Sequence, residues 1–433
     1  MSDILDYHLQ HVLHKMISDL PFHQRAQLKN ILGCGQKIMY PGQGGIPAVY
    51  LITNGEQSKF FGQAHCQNPF CCPVCSARVM EKNRARIASA IDMLKSEYFG
   101  FMVTFTIPHL RFMKCRETTD ILYKTWSYFH QKNFKKTGWH VYQRFNADVP
   151  IAHWVRVCEY TYGEENGWHP HFHCVFWTKR ENADKILNWQ KELNEFWTAQ
   201  AKRVTLKYWK ENNLHSGENL ETLCDRLFSK VNDVYPAFKI SVNKETGKVA
   251  ESLSSDYLTG WGVDREVTGN IRKEASHEGH YTPYQILSKA EFDHEFRNIY
   301  IDFCLSVTRK PVHHRLNFSK TGIVKMIEEY QRVNGYTSAI IQKKISWEVV
   351  ACFDEKQWSK LLSLNESSPV LSNILYLATY RRDLLEEYFE WLDVRRCCAE
   401  EYEEALQEQC RIVEDLFNGA RNTSASTNTS LTA

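Results

Sequence analysis

The stretch Trp168-His169-Pro170-His171-Phe172-His173-Cys174-Val175-Phe176-Trp177-Thr178 carries most of what decides the fold. Side chains alternate across a strand. Over His171 to Thr178 the imidazoles of His171 and His173 therefore share one face, while Phe172, Cys174 and Phe176 share the other. The apolar three can seat the strand on helices, which leaves two imidazoles side by side opposite them. Imidazoles at i and i+2 on a rigid strand are a two-point metal site, although two ordinary surface histidines would show the same pattern.

Two neighbouring stretches favour the metal. Ala152 to Tyr162 reads as a strand and carries Glu159 in a largely apolar and aromatic run, where a carboxylate is costly unless paired or metal-bound. If a hairpin closes over the turn-forming Gly163 to Gly167, Glu159 lies beside the histidines. Two histidines and a carboxylate suit Mg²⁺ or Mn²⁺ with positions left open for phosphate oxygens. A third strand is expected within Phe99 to Pro108, where Thr104 and Thr106 share a face and could bond backbone or position a ligand.

Further out, helical patterns cover Ser76 to about Ser96 and about Glu117 to Phe134, and a helix of about twenty residues starts near Glu181. Phe238 to Val242 suggests another strand and Ala250 to Gly262 a short helix. Beyond Thr282 the pattern is mostly helical, and Tyr40 to Pro47 breaks the N-terminal region as a loop. Strands alternating with amphipathic helices predict an α+β fold, a central antiparallel sheet covered by helices.

A second cluster, Cys66-Gln67-Asn68-Pro69-Phe70-Cys71-Cys72-Pro73-Val74-Cys75, contains the C-x-x-C knuckle that lets Cys72 and Cys75 reach one Zn²⁺. Cys66 is the natural third ligand and Cys34 the natural fourth, with His65 and Cys71 as substitutes. A closed four-cysteine site would be structural; a redox pair is the rival for C-x-x-C alone. Cys397-Cys398 reads as packing.

Composition narrows the class. Of 433 residues 43% are hydrophobic, enough for real cores. No run approaches the ~20 apolar residues of a membrane span, and Met1 to Leu20 lacks a signal-peptide core, so a cytoplasmic protein with no membrane association is expected. Fourteen cysteines are then thiols or metal ligands rather than disulfides. The net charge of +2 hides a balance of +8 over Arg78 to Arg144 and of −9 over Asp383 to Asp415. The basic block suits phosphate backbones, or is simply a solvated helix face.

Phe101-Met102-Val103-Thr104-Phe105-Thr106-Ile107-Pro108, then Glu159-Tyr160-Thr161-Tyr162-Gly163, then Gly167 to Val175 closely resemble the rolling-circle replication initiators (Rep proteins) of bacterial plasmids, members of the HUH endonuclease superfamily. The resemblance runs from about Cys34 to Leu316, some two thirds of the chain, and includes the cysteine cluster. It implies that His171 and His173 are metal ligands, with Glu159 as the carboxylate and His169 as a secondary candidate. It also implies a nucleophilic tyrosine, Tyr257, in Asp256-Tyr257-Leu258-Thr259-Gly260-Trp261-Gly262, followed by Glu266-Val267-Thr268 and Tyr281 to Leu287. Relatives have lysine where Gly260 stands, and some have glutamate where Leu253 stands. Glu251 and Asp256 are the nearest carboxylates, and how the cycle would end is open.

The expected protein nicks one strand of a double-strand origin and stays on the 5′ phosphate while a host helicase and DNA polymerase extend the free 3′ end. Its expected regions are 1–96 with the zinc knuckle, a 97–290 nickase core, a helical 291–417 and a disordered tail, 418–433. A single-strand transposase of the same superfamily, or a zinc-containing DNA-binding regulator without catalysis, are the alternatives.

Overall fold

A computed structural model describes residues 2–39, 47–130, 139–217, 219–232, 235–251, 279–308, 316–319, 321–334 and 347–394. The chain divides into two compact units, one of residues 80–328 and one that combines 1–79 with 329–433. It is an α+β protein, and among the described residues every strand pairing is antiparallel.

In the 80–328 unit, β3 (Tyr98–Phe105), β4 (Ile151–Gly163), β5 (Gly167–Lys179), β6 (Phe238–Ile240) and β7 (His280–Tyr281) lie in the order β6-β3-β5-β4-β7, and β8 (Leu316–Phe318) also pairs with β4. The β4–β5 hairpin keeps one register from Gly163↔Gly167 down to His153↔Trp177, so residues equally far from the turn face each other, and a bulge shifts the last pair, Ile151↔Thr178. Gly167 is needed at that turn. It has φ +79°, and a Cβ there would stand 3.1 Å from the Arg111 backbone.

Both faces of the sheet are covered, which is why its inner strands read as nearly continuous apolar runs. On one face α4 (Cys115–His130) and α6 (Gln190–Glu211) meet the strands. Phe105 packs edge-on against Trp126, Phe129 and Trp197, and Phe172 against Tyr123 and Trp126. On the other face Ile87, Ala90, Ile91 and Leu94 of α3 (Pro73–Leu94) join Ile323 and Ile327 of the helix Ile323–Asn334 over Met102, Val155, Val157, Val175 and Trp177. By parity the histidine pair belongs to this second face, beyond the apolar patch.

The other unit holds α1 (Ser2–Ser18), α2 (Phe22–Leu32) and a three-stranded sheet ordered β2 (Ser58–Phe61), β1 (Val49–Thr53), β9 (Glu348–Phe353). Helices Glu355–Ser367, Val370–Tyr380 and Leu385–Trp391 complete it. Phe60 is buried between Tyr7 and Trp358, with ring centroids 5.5 and 5.3 Å away.

Three local expectations change. Residues 180–189 form short 3₁₀ turns, and α6 begins only at Gln190. Buried Asn182 donates to the Thr178 hydroxyl instead of facing solvent from a helix, and Gln190 donates to Phe238 O and accepts from Ile240 N, fixing the helix start against β6. Glu251 bridges Phe101 in extended conformation where a helix was expected to begin; the rest of that segment lies outside the described residues. The part beyond Thr282 contains strands β8 and β9 besides its helices, because β9 closes the second sheet against β1. The acidic run past Val394 and the tail 418–433 lie outside the described residues. Among the described residues no helix is long and apolar enough to cross a membrane.

Candidate metal centres

The hairpin register puts Glu159 opposite His171 and Val157 opposite His173, and β3 puts Thr104 on His173's other side. Cross-strand partners point to the same face, so a carboxylate, two imidazoles and a hydroxyl converge. Glu159 Oε2 lies 3.2 Å from Nε2 of both His171 and His173. Glu159 is buried and the two imidazoles nearly so, with 1%, 12% and 10% of their side chains exposed.

The far side of each ring is held. His171 Nδ1 is 3.3 Å from His169 O, and His173 Nδ1 is 3.1 Å from Thr104 Oγ1. Without a metal the Nε2 proton of each ring faces Glu159; a bound cation would take that proton's place while Nδ1–H donates on the far side, the tautomer a metal ligand requires. Burial alone would raise the Glu159 carboxyl. The positive charge of His173 and hydrogen bonds from His171 and His173 outweigh it and bring the pKa down to about 2. A cation about 2.1 Å from two neighbouring oxygen or nitrogen ligands holds them about 3 Å apart. Glu159, His171 and His173, whose ligand atoms all lie within 4.8 Å of one another, fit that demand.

His169 extends the row. Its ring centroid is 5.2 Å from that of His171 and 4.7 Å from that of His109, which follows β3. Burial, helped by the neighbouring His109 and His171, holds His169 well below the ordinary histidine range. Burial likewise brings His109 to about 4. Both are therefore neutral imidazoles at neutral pH. No spacing rule pointed to His109; its only sequence signal is its place just past the strand end.

Glu251 is not part of this group. It accepts from Arg180 Nη2 at 3.0 Å, and it bridges Phe101, which shares a face with Phe176 rather than with His173. Tyr257, Asp256, Leu253, Gly260 and Trp261 lie outside the described residues.

A second group forms in the other unit. Cys34 follows α2, Cys66 follows β2, Cys72 precedes α3 and Cys75 sits in its first turn. All four Sγ atoms lie within 4.8 Å of one another, with Cys34–Cys75 at 3.4 Å and Cys66–Cys75 and Cys34–Cys72 at 3.5 Å. Tetrahedral Zn²⁺ with Zn–S near 2.3 Å separates its sulfurs by about 3.8 Å, so the set is suited to that ion. Donors already point at the sulfurs: Cys66 N to Cys34 Sγ at 3.4 Å, Asn68 N to Cys66 Sγ at 3.5 Å and Gln10 Nε2 to Cys72 Sγ at 3.7 Å. Hydrogen bonds from Cys66 and then Cys72 bring the Cys34 thiol down to about 6, and bonds from Cys34, Cys66 and Cys72 hold Cys75 far below the usual thiol range. His65 stands beside the group, Nδ1 3.8 Å from Cys34 Sγ, and also contacts Arg78. Buried Cys71 does not join it.

No family model matches the chain, and no solved structure matches it. The chain is 24% identical over 190 residues to "Protein rep" of Streptomyces lividans, an alignment covering 35% of this chain and 41% of that protein. This chain is thus similar, over part of its length and over less than half of the relative's, to a protein named rep.

Proposed function

We propose that the chain is a rolling-circle replication initiator that nicks one strand of its origin and becomes linked to the new 5′ end through Tyr257. The observation that carries this reading is Glu159 Oε2 lying 3.2 Å from both His171 Nε2 and His173 Nε2, and the similarity to a rep protein supports it.

A divalent cation, Mg²⁺ or Mn²⁺, held by Glu159, His171 and His173 would polarise the scissile phosphodiester and offset charge on its oxygens. Glu159 supplies the anion, ionised at any physiological pH. Thr104 and the His169 carbonyl hold the imidazoles in orientation. The Tyr257 oxygen attacks phosphorus as its phenolic proton leaves, the bond to the 3′ oxygen breaks, and that oxygen departs as a 3′ hydroxyl carrying a proton. The phosphodiester is retained as a 5′-phosphotyrosine, so the strand can later be rejoined. The four cysteines would hold Zn²⁺ structurally, because a closed four-thiolate site leaves no position for a reactant.

The test is nicking of supercoiled DNA bearing the chain's origin in Mn²⁺. Open-circular product with protein on its 5′ end is expected from wild type and not from His171→Ala, His173→Ala or Tyr257→Phe. Wild-type nicking by both histidine variants would overturn the metal reading, and wild-type nicking by Tyr257→Phe would overturn the nucleophile.

A further inference from the structure

The face that carries the histidines also carries a cation beside the row. Lys239, on β6, pairs with Thr104, which in turn pairs with His173, so Lys239, Thr104 and His173 form one line across the same face. Strand spacing puts the Lys239 backbone about 10 Å from that of His173. Lys239 is exposed between the buried Phe238 and Ile240, and no ion pair or hydrogen bond ties its ammonium among the described residues.

We propose, resting on the nickase reading, that Lys239 is a phosphate clamp: it grips the single strand's backbone beside the phosphate placed at Glu159, His171 and His173. The chemistry fits the spacing. Successive histidines on β5 are about 6.6 Å apart, and a row from His173 to His169 spans about 13 Å, room for a short run of phosphates. A flexible stem ending in a compact, strongly hydrated charge suits a backbone held without base recognition. β6 is an edge strand of its sheet, and lysine also protects such edges from strand addition. Edge protection alone would leave DNA affinity unchanged on substitution.

The experiment is binding of full-length protein to a short fluorescent oligothymidylate, in buffer without added Mg²⁺ or Mn²⁺, over a range of salt concentrations. Each phosphate neutralised contributes about 0.7 to the slope of log affinity against log salt on single strands. Lys239→Ala is expected to lower that slope by about 0.7, while Lys239→Arg keeps it and Lys191→Ala, on α6 across the sheet, changes nothing. An unchanged slope in Lys239→Ala, or an equal fall in Lys191→Ala, would overturn the clamp. Binding needs no cleavage, so the two claims fail separately. A wild type that never nicks DNA defeats the reading of the histidine site, whereas the slope still decides Lys239.

Discussion

Thr104→Val tests whether the histidine pair is built to hold a cation. The hydroxyl lies 3.1 Å from His173 Nδ1, and Thr104 is the residue beside His173 on β3. Valine keeps the branched shape and removes only the hydrogen bond, so the sheet should fold unchanged. A neutral hydrogen bond is worth about 1 kcal/mol net, and loss of the outer partner of a metal-binding histidine lowers metal affinity about 10- to 100-fold. The lower end is expected here, because His173 is nearly buried and its strand is paired on both sides. The anticipated change is an increase of about tenfold in the Kd for Mn²⁺, about 1.4 kcal/mol, by calorimetric titration. Thr106→Val is the control: its hydroxyl donates to Ala237 O at 3.4 Å, and its affinity should match wild type. Thr104→Ser should restore most of the loss. If Thr104→Val binds Mn²⁺ as wild type does, or if Thr106→Val falls equally, the hydroxyl does not orient a ligand.

Other outcomes follow from the same coordinates. The Glu159 carboxyl titrates at about 2 in the folded, metal-free protein against 4.5 ordinarily, so its contribution to stability is present above about pH 4.5 and lost as pH falls toward 2. That contribution is about 3 kcal/mol at pH 5 and about 1.5 at pH 3. Urea titrations should therefore show Glu159→Gln costing more at pH 5 than at pH 3; equal costs would contradict the pairing. Cys72→Ser should bring bound zinc, measured by elemental analysis, from about one equivalent to near zero, and undiminished zinc would rule the cluster out as its site. Phe172→Ala removes a fully buried ring packed on Tyr123 and Trp126 and should cost about 3–5 kcal/mol in denaturant unfolding. A loss below about 1 kcal/mol would mean that the strand is not seated there.

How much of this was legible in the sequence follows from which contacts are local. The β4–β5 hairpin was readable because period-two alternation flanks a glycine-bounded turn. Counting equally from Gly163 and Gly167 already places Glu159 against His171. The C-x-x-C of Cys72 and Cys75 was readable for the same reason, since its geometry lies within one turn of chain. Contacts set by long-range packing were not. The sequence shows two threonines sharing a face, but not that Thr104 meets His173, nor that His109 sits against His169, nor that Lys239 lies in line with Thr104 and His173. β9 reads as one more apolar stretch until β1 supplies its partner, 49 with 353. The late start of α6 depends on Asn182 and Gln190 finding partners that periodicity cannot reveal.

The most direct test of the central claim is mass spectrometry of the protein–DNA adduct after cleavage in Mn²⁺, nuclease trimming and proteolysis. The expected result is nucleotide mass, through a 5′ phosphate, on the peptide containing Tyr257, absent without divalent cation and absent in His173→Ala. Adduct on a peptide lacking Tyr257, or metal-dependent cleavage that leaves no adduct, would contradict it.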